Sequence, residues 1–136
     1  MRLFQITLLV PDYDEAIAFY CGSMGFELVE DTLLSAEKRW VVVSPGEGGA
    51  NILLAKAADE FQRNAIGHQS GGRVSFFLET DNFPLDYARL FAAGVDYLED
   101  PRLEPYGAVV VFRDPFGNLW DLIQRNPVTG THKPAD

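Results

Sequence analysis

The sequence predicts an α+β fold built from two tandem βαβββ modules. Gly25-Phe26-Glu27-Leu28-Val29-Glu30-Asp31 and Gly94-Val95-Asp96-Tyr97-Leu98-Glu99-Asp100 are near copies 69 positions apart, and the same offset carries Asp12 onto Asp81. Each aspartate stands ahead of a helical stretch. The order of periodicities also repeats, with period-two alternation giving way to i, i+3, i+4 spacing and returning in each half. A unit used twice is expected to enclose a cleft between its copies.

In the first module, about residues 3–56, a strand over 3–10 puts Ile6, Leu8 and Val10 on one face and Gln5, Thr7 and Leu9 on the other. The Asp12 side chain suits a helix N-cap. Ala16, Phe19 and Tyr20 then follow helical spacing, and Gly25 marks the stop. Strands are predicted over about 26–31, 38–44 and 50–56. The segment 57–72, with Gly67, Gly71 and Gly72, reads as a linker holding one helical turn around Ala58 to Asn64.

The second module, about 73–125, opens with a strand near 73–79. Asp81-Asn82-Phe83-Pro84 combines capping side chains with a proline suited to a first helical turn, and the helix runs to about Ala93. Strands near 95–99, 108–113 and 119–125 follow, the last two joined by the turn formers of Asp114-Pro115-Phe116-Gly117-Asn118. Residues 126–136 lose the apolar pattern and read as a weakly packed tail. With 47% hydrophobic residues in 136, residues 1–125 are expected to share one core as a single domain.

A net charge of −9 argues against nucleic acid, whose phosphates recruit clustered Lys and Arg, and leaves a neutral or cationic small molecule as the partner. No apolar run is long enough to span a bilayer and no basic leader precedes an apolar core, so a soluble, cytoplasmic protein is expected. Cys21 is the sole cysteine and reads as a small apolar residue closing the first helix. His68 and His132, the only histidines, are placed at the surface of the linker and in the tail.

The run Leu8-Leu9-Val10-Pro11-Asp12 through Phe19-Tyr20 to Met24-Gly25-Phe26, with Tyr106-Gly107 and Phe112-Arg113-Asp114-Pro115-Phe116-Gly117-Asn118-Leu119-Trp120-Asp121-Leu122, resembles the vicinal oxygen chelate superfamily. That superfamily includes glyoxalase I, extradiol dioxygenases and bleomycin-resistance proteins. The resemblance covers about 3–125 and implies that each module curls into a U-shaped mixed sheet, the two lining a cleft. In metal-dependent members, four inward positions, usually His, Gln or Glu, hold a divalent ion. By the repeat register these fall at Gln5, Leu53, Val74 and Asp121, with Asn51 as the alternative second position. Only Gln5 and Asp121 are weak candidate ligands, so no cofactor is expected and a divalent metal is disfavoured.

The inward faces then comprise Gln5, Thr7, Leu9 and Leu53 from the first module and Val74, Phe76, Leu78, Leu119, Asp121 and Ile123 from the second. Trp40, Tyr106 and Phe112 are candidate aromatic walls or ordinary packing residues. Asp121 is either a general acid or base or a rim carboxylate bonded to Tyr or Arg. Glu79, in register with Val10, falls on the helix-facing side. These residues suit a small-molecule-binding protein, probing toward antibiotic or toxin sequestration; the alternative is a lyase, isomerase or dioxygenase. Edge strands and the resemblance together predict a homodimer.

Overall fold

The structure, a computed structural model, describes residues 1–126. Most of the expected tail, with His132, lies outside the described residues. Two compact units follow one another, Met1–His68 and the chain from Gln69 onward, so the boundary falls inside the segment read as a linker.

In the first unit, β1 (Gln5–Val10) leads to α1 (Tyr13–Ile17), and then β2 (Glu27–Leu33), β3 (Arg39–Ser44) and β4 (Asn51–Lys56) follow. The sheet order is β1-β4-β3-β2, with β1 and β4 parallel and the other pairs antiparallel. Leu8, Val10, Ile52, Leu54, Val41 and Val43 are buried on the side where α1 supplies Ala16. Alternation therefore leaves Gln5, Thr7, Leu9 and Leu53 on the opposite, open side, as the strand pattern predicts. The linker carries α2 (Glu60–Ala65), capped by Asp59.

The second unit runs β5 (Phe76–Glu79), α3 (Phe83–Ala92), β6 (Asp96–Tyr97), β7 (Arg102–Glu104), β8 (Gly107–Arg113) and β9 (Leu119–Arg125). Its sheet has the order β5-β9-β8-β6, with β7 also on β8. The sequence pattern misses β7. After the repeated segment, Asp100-Pro101 interrupts pairing because proline has no N–H to donate, and two short strands then share the edge that a single strand occupies in the first unit.

The repeat offset is not constant, and this reverses one set of faces. Asp12 caps α1 by accepting from the Glu15 N–H at 2.9 Å, whereas the counterpart cap on α3 is Asn82, accepting from Leu85 N–H at 3.3 Å, rather than Asp81. The caps stand 70 positions apart, and the repeated glycines 69. The extra residue of the first module is absorbed after α1, where Ala18–Ser23 widens into a π-helical turn and the Met24 N–H donates to the Phe19 carbonyl at 2.9 Å. In the opening strands Leu8 therefore corresponds to Leu78, and Thr7 to Phe77.

A one-residue change in register exchanges the two faces of a strand. Phe76 pairs with Trp120 and Leu78 with Leu122, both buried, so Phe76 and Leu78 face the helix side, and alternation puts Val74 with them. Phe77 and Glu79 take the open side, beside Asp121 and Ile123. Their placement corrects the expected inward set, and also the expected orientation of Glu79, which forms an ion pair with Arg125 at 2.6 Å. Phe112 is likewise core, fully buried and stacked on Trp120 at 6.0 Å between ring centroids.

Two local features fix β9. Asp114, buried in the β8–β9 turn, accepts from the backbone N–H of Phe116 and of Asn118 and from the Trp120 indole N–H, at 2.9, 3.0 and 2.9 Å. Gly107 has φ +145°, and a Cβ there would collide with the Gln124 carbonyl and lie 2.9 Å from the Arg125 Cα. The turn at one end and the close backbone approach at the other hold the strand that carries Asp121.

Candidate ligand-binding site

On the open side of the first sheet, the parallel register sets Gln5 beside Asn51, Thr7 beside Leu53 and Leu9 beside Ala55. Val42 continues the Thr7–Leu53 row, and Trp40, 36% exposed, lies two residues along β3 on the same side. A cavity of about 970 Å³ opens here, with Thr7, Leu9, Trp40 and Leu53 in its wall. It continues around the strand ends to Tyr13, Lys56 and Gln62. Arg39 sits 5.2 Å over the Tyr13 ring and is held by Asp14 at 2.8 Å and Asp31 at 2.7 Å. The Arg39 guanidinium draws the Asp31 carboxyl below its usual range. The wall mixes aliphatic and aromatic side chains with charged ones, Asp12, Glu37, Lys38, Arg39 and Lys56.

In the second unit, the row across the open side is Phe77, Asp121, Val111. Phe77 is 67% exposed. The next row is Glu79, Ile123, Val109, Arg102. Asp121 is half-buried, and its Oδ1 is buried with no hydrogen-bond partner. Burial pushes its carboxyl above the ordinary aspartate range, Arg102 opposes this, and Glu99 adds to it. Arg102 is itself held by Glu99 at 2.9 Å and Glu104 at 2.6 Å, while Glu99 also accepts from the Val111 N–H at 3.1 Å. A carboxylate oxygen left without a donor in such surroundings has affinity for a ligand N–H, O–H or cationic group.

The donor set does not fit a divalent metal. With the corrected offset, the third expected position is Ser75 rather than Val74, and Ser75 hydrogen-bonds Ser70 at 2.7 Å between hydroxyl oxygens. Gln5 and its register neighbour Asn51 offer neutral amides, Leu53 offers nothing, and only Asp121 brings a charge. Among the described residues no group of three or more His, Cys, Asp or Glu side chains is placed to hold an ion. His68 is exposed.

Of the remaining predicted residues, Leu119 shares the open side with Asp121, across from Arg113 on β8. Tyr106 is half-buried in the turn before β8, at the far end of that strand from the Val111–Asp121 pair. Sequence reasoning missed Phe77, which the constant offset put on the wrong face. It also missed the Glu99–Arg102–Glu104 cluster, which depends on β7. The Asn82 cap was the available signal, since Asn82 stands in an N-cap context as good as that of Asp81.

Two βαβββ-type units, each packing its helix on one side of its sheet, define the architecture, and the chain belongs to the Glyoxalase/Bleomycin resistance protein/Dioxygenase superfamily, whose sequence profile matches residues 2–122. An uncharacterised protein of Shewanella frigidimarina is 49% identical over 126 residues, covering 91% of this chain and 93% of that protein. The crystal structure of UcmS2 is similar with a TM-score of 0.78 and 32% identity, over 90% of this chain and 97% of that one. That of TnmS3, an antibiotic binding protein from Streptomyces sp. CB03234, has a TM-score of 0.73 and 27% identity, over 93% and 97%. Among the described residues no helix is long and apolar enough to cross a membrane.

Proposed function

We propose that this protein binds a small, partly hydrophobic molecule on the open sides of its sheets without a bound metal, in the manner of antibiotic or toxin sequestration. The observation that carries the reading is the buried, unpartnered Oδ1 of Asp121 beside the exposed ring of Phe77. Together they suit a ligand presenting a cationic or hydrogen-bond-donating group next to a flat apolar surface. The antibiotic-binding description of TnmS3 supports the same class of ligand. The proposed contacts are Gln5, Thr7, Leu9 and Leu53 in the first module and Phe77, Leu119, Asp121 and Ile123 in the second. Tyr106 remains a proposed contact of the β7–β8 turn, while Val74, Phe76 and Leu78 act behind them as packing.

A second reading, an enzyme using Asp121 as general acid or base, is supported by the raised proton affinity of that carboxyl. It differs in requiring turnover. We further propose a homodimer, because among the described residues β1, β2 and β5 each have an unpaired strand edge.

The test is a thermal-shift screen of aromatic amines and antibiotic-like compounds, followed by calorimetric titration of the hits into wild type, Asp121→Asn and Phe77→Ala. Loss of a charge-assisted contact is expected to weaken binding about tenfold in Asp121→Asn. Hits that bind both variants as tightly as wild type refute the assignment. Consumption of a hit by wild type but not by Asp121→Asn establishes the enzymatic reading instead.

A further inference from the structure

We propose that the cavity of the first module takes an organic anion with an apolar or aromatic body, its charge met by Lys38 and Lys56. This rests on reading the module's open side as a ligand surface, but it is independent of Asp121. The chain has 20 acidic and 11 basic residues. Arg39, Arg63, Arg102, Arg113 and Arg125 all stand in ion pairs.

Arg2, Arg73 and Arg89 have no ion pair among the described residues but do not line this cavity, and the unpaired cations that do line it are lysines. There are only three, Lys38, Lys56 and Lys133. The first two both line this one cavity, and neither ammonium has an ion-pair partner among the described residues. Lys38 is carried by a fixed turn, in which its carbonyl accepts from the N–H groups of Leu34 and Ser35 at 2.8 and 3.1 Å and its own N–H donates to the Ser35 hydroxyl at 3.2 Å. Lys56 ends β4 in register with Val10, on the helix-facing side, and the cavity reaches it around the strand end.

The acidic groups on the same wall are Asp12 and Glu37. The Asp12 carboxylate is engaged in capping α1. Glu37 is exposed and opposes the two lysines. Arg39 adds no free charge, because Asp14 and Asp31 already neutralise it. Leu9, Leu53 and the exposed Trp40 supply the apolar wall. Two strongly hydrated ammonium groups on the wall of one cavity that also holds an indole and aliphatic side chains favour a carboxylate, sulfonate or phosphate attached to a hydrophobic frame over a compact inorganic anion.

The experiment titrates 8-anilinonaphthalene-1-sulfonate, and separately the uncharged N-phenyl-1-naphthylamine, into wild type and a Lys38→Gln/Lys56→Gln variant, with folding checked by circular dichroism. The anionic probe is expected to bind wild type, to weaken about tenfold in the variant and to weaken with added salt. The neutral probe is expected to bind both proteins equally. Anionic-probe affinities within about twofold of each other overturn the proposal. So does equal loss of both probes in the folded variant, since charge is then not what is recognised. If the neutral probe binds and the anionic one does not, the anion assignment fails while the cavity stands as a ligand surface. If neither probe binds wild type, both fail.

Discussion

Replacing Phe76 and Phe77 separately by alanine tests which face of β5 is core. The Phe76 ring lies 4.5 Å from that of the buried Trp120, whereas Phe77 is 67% exposed. Truncating a fully buried phenylalanine costs about 3–5 kcal/mol. Phe76 is only half-buried, which scales this to about 2–3 kcal/mol. Phe77→Ala removes little buried area and should stay within about 0.5 kcal/mol. For a chain of this size, 1 kcal/mol moves Tm by roughly 3–5 °C, so Phe76→Ala should melt about 10 °C below wild type and Phe77→Ala within about 2 °C. Urea unfolding followed by tryptophan emission measures both. The aspartate variants widen the difference, since Phe76→Asp buries an unpaired charge and Phe77→Asp does not. A Phe77 variant less stable than its Phe76 counterpart refutes the register and every open-side assignment in the second module.

Gly107→Ala should cost about 3 kcal/mol or more, because a Cβ has no room against Gln124 and φ is +145°, and denaturant unfolding reads this directly. Asp114→Ala leaves the Trp120 indole and Asn118 without their acceptor and should destabilise by about 2–4 kcal/mol, with red-shifted tryptophan emission. Asp121→Asn should be more stable than wild type by about 1 kcal/mol at neutral pH. The folded pKa of Asp121 is raised, so the protonated folded state is favoured below the unfolded pKa, and that contribution is lost as pH rises through the folded pKa. The advantage of the asparagine variant should therefore grow from acid toward neutral pH in paired melts. An advantage that is constant with pH contradicts the raised pKa.

Much of the fold was legible because its signals are local. Alternation in 3–10, the Asp12 cap and the glycines at 25 and 94 each fix backbone within a few residues, and the first sheet follows them. The second module's open side was not legible, because its faces were inferred by carrying the first module's register across a constant offset. A π-turn that absorbs one residue leaves no compositional mark, yet it shifts the parity of everything aligned through it. Leu119, Asp121 and Ile123, assigned together through the family's last-strand position, share one face of β9 by its alternation. The Glu99–Arg102–Glu104 cluster depends on the short hairpin of β7 onto β8, which three residues after a proline do not announce.

The central claim is that ligands engage the open sides of the sheets, with Asp121 at the charged point. The most direct measurement is an amide chemical-shift map of the ¹⁵N-labelled protein titrated with the tightest compound from the thermal-shift screen. Thr7, Leu9 and Leu53, or Phe77, Asp121 and Ile123, are predicted to shift most, with Asp121→Asn suppressing the second group. Shifts centred on the helix-facing residues Leu8, Val10, Phe76 and Leu122, with the open-side amides unmoved, would contradict the account.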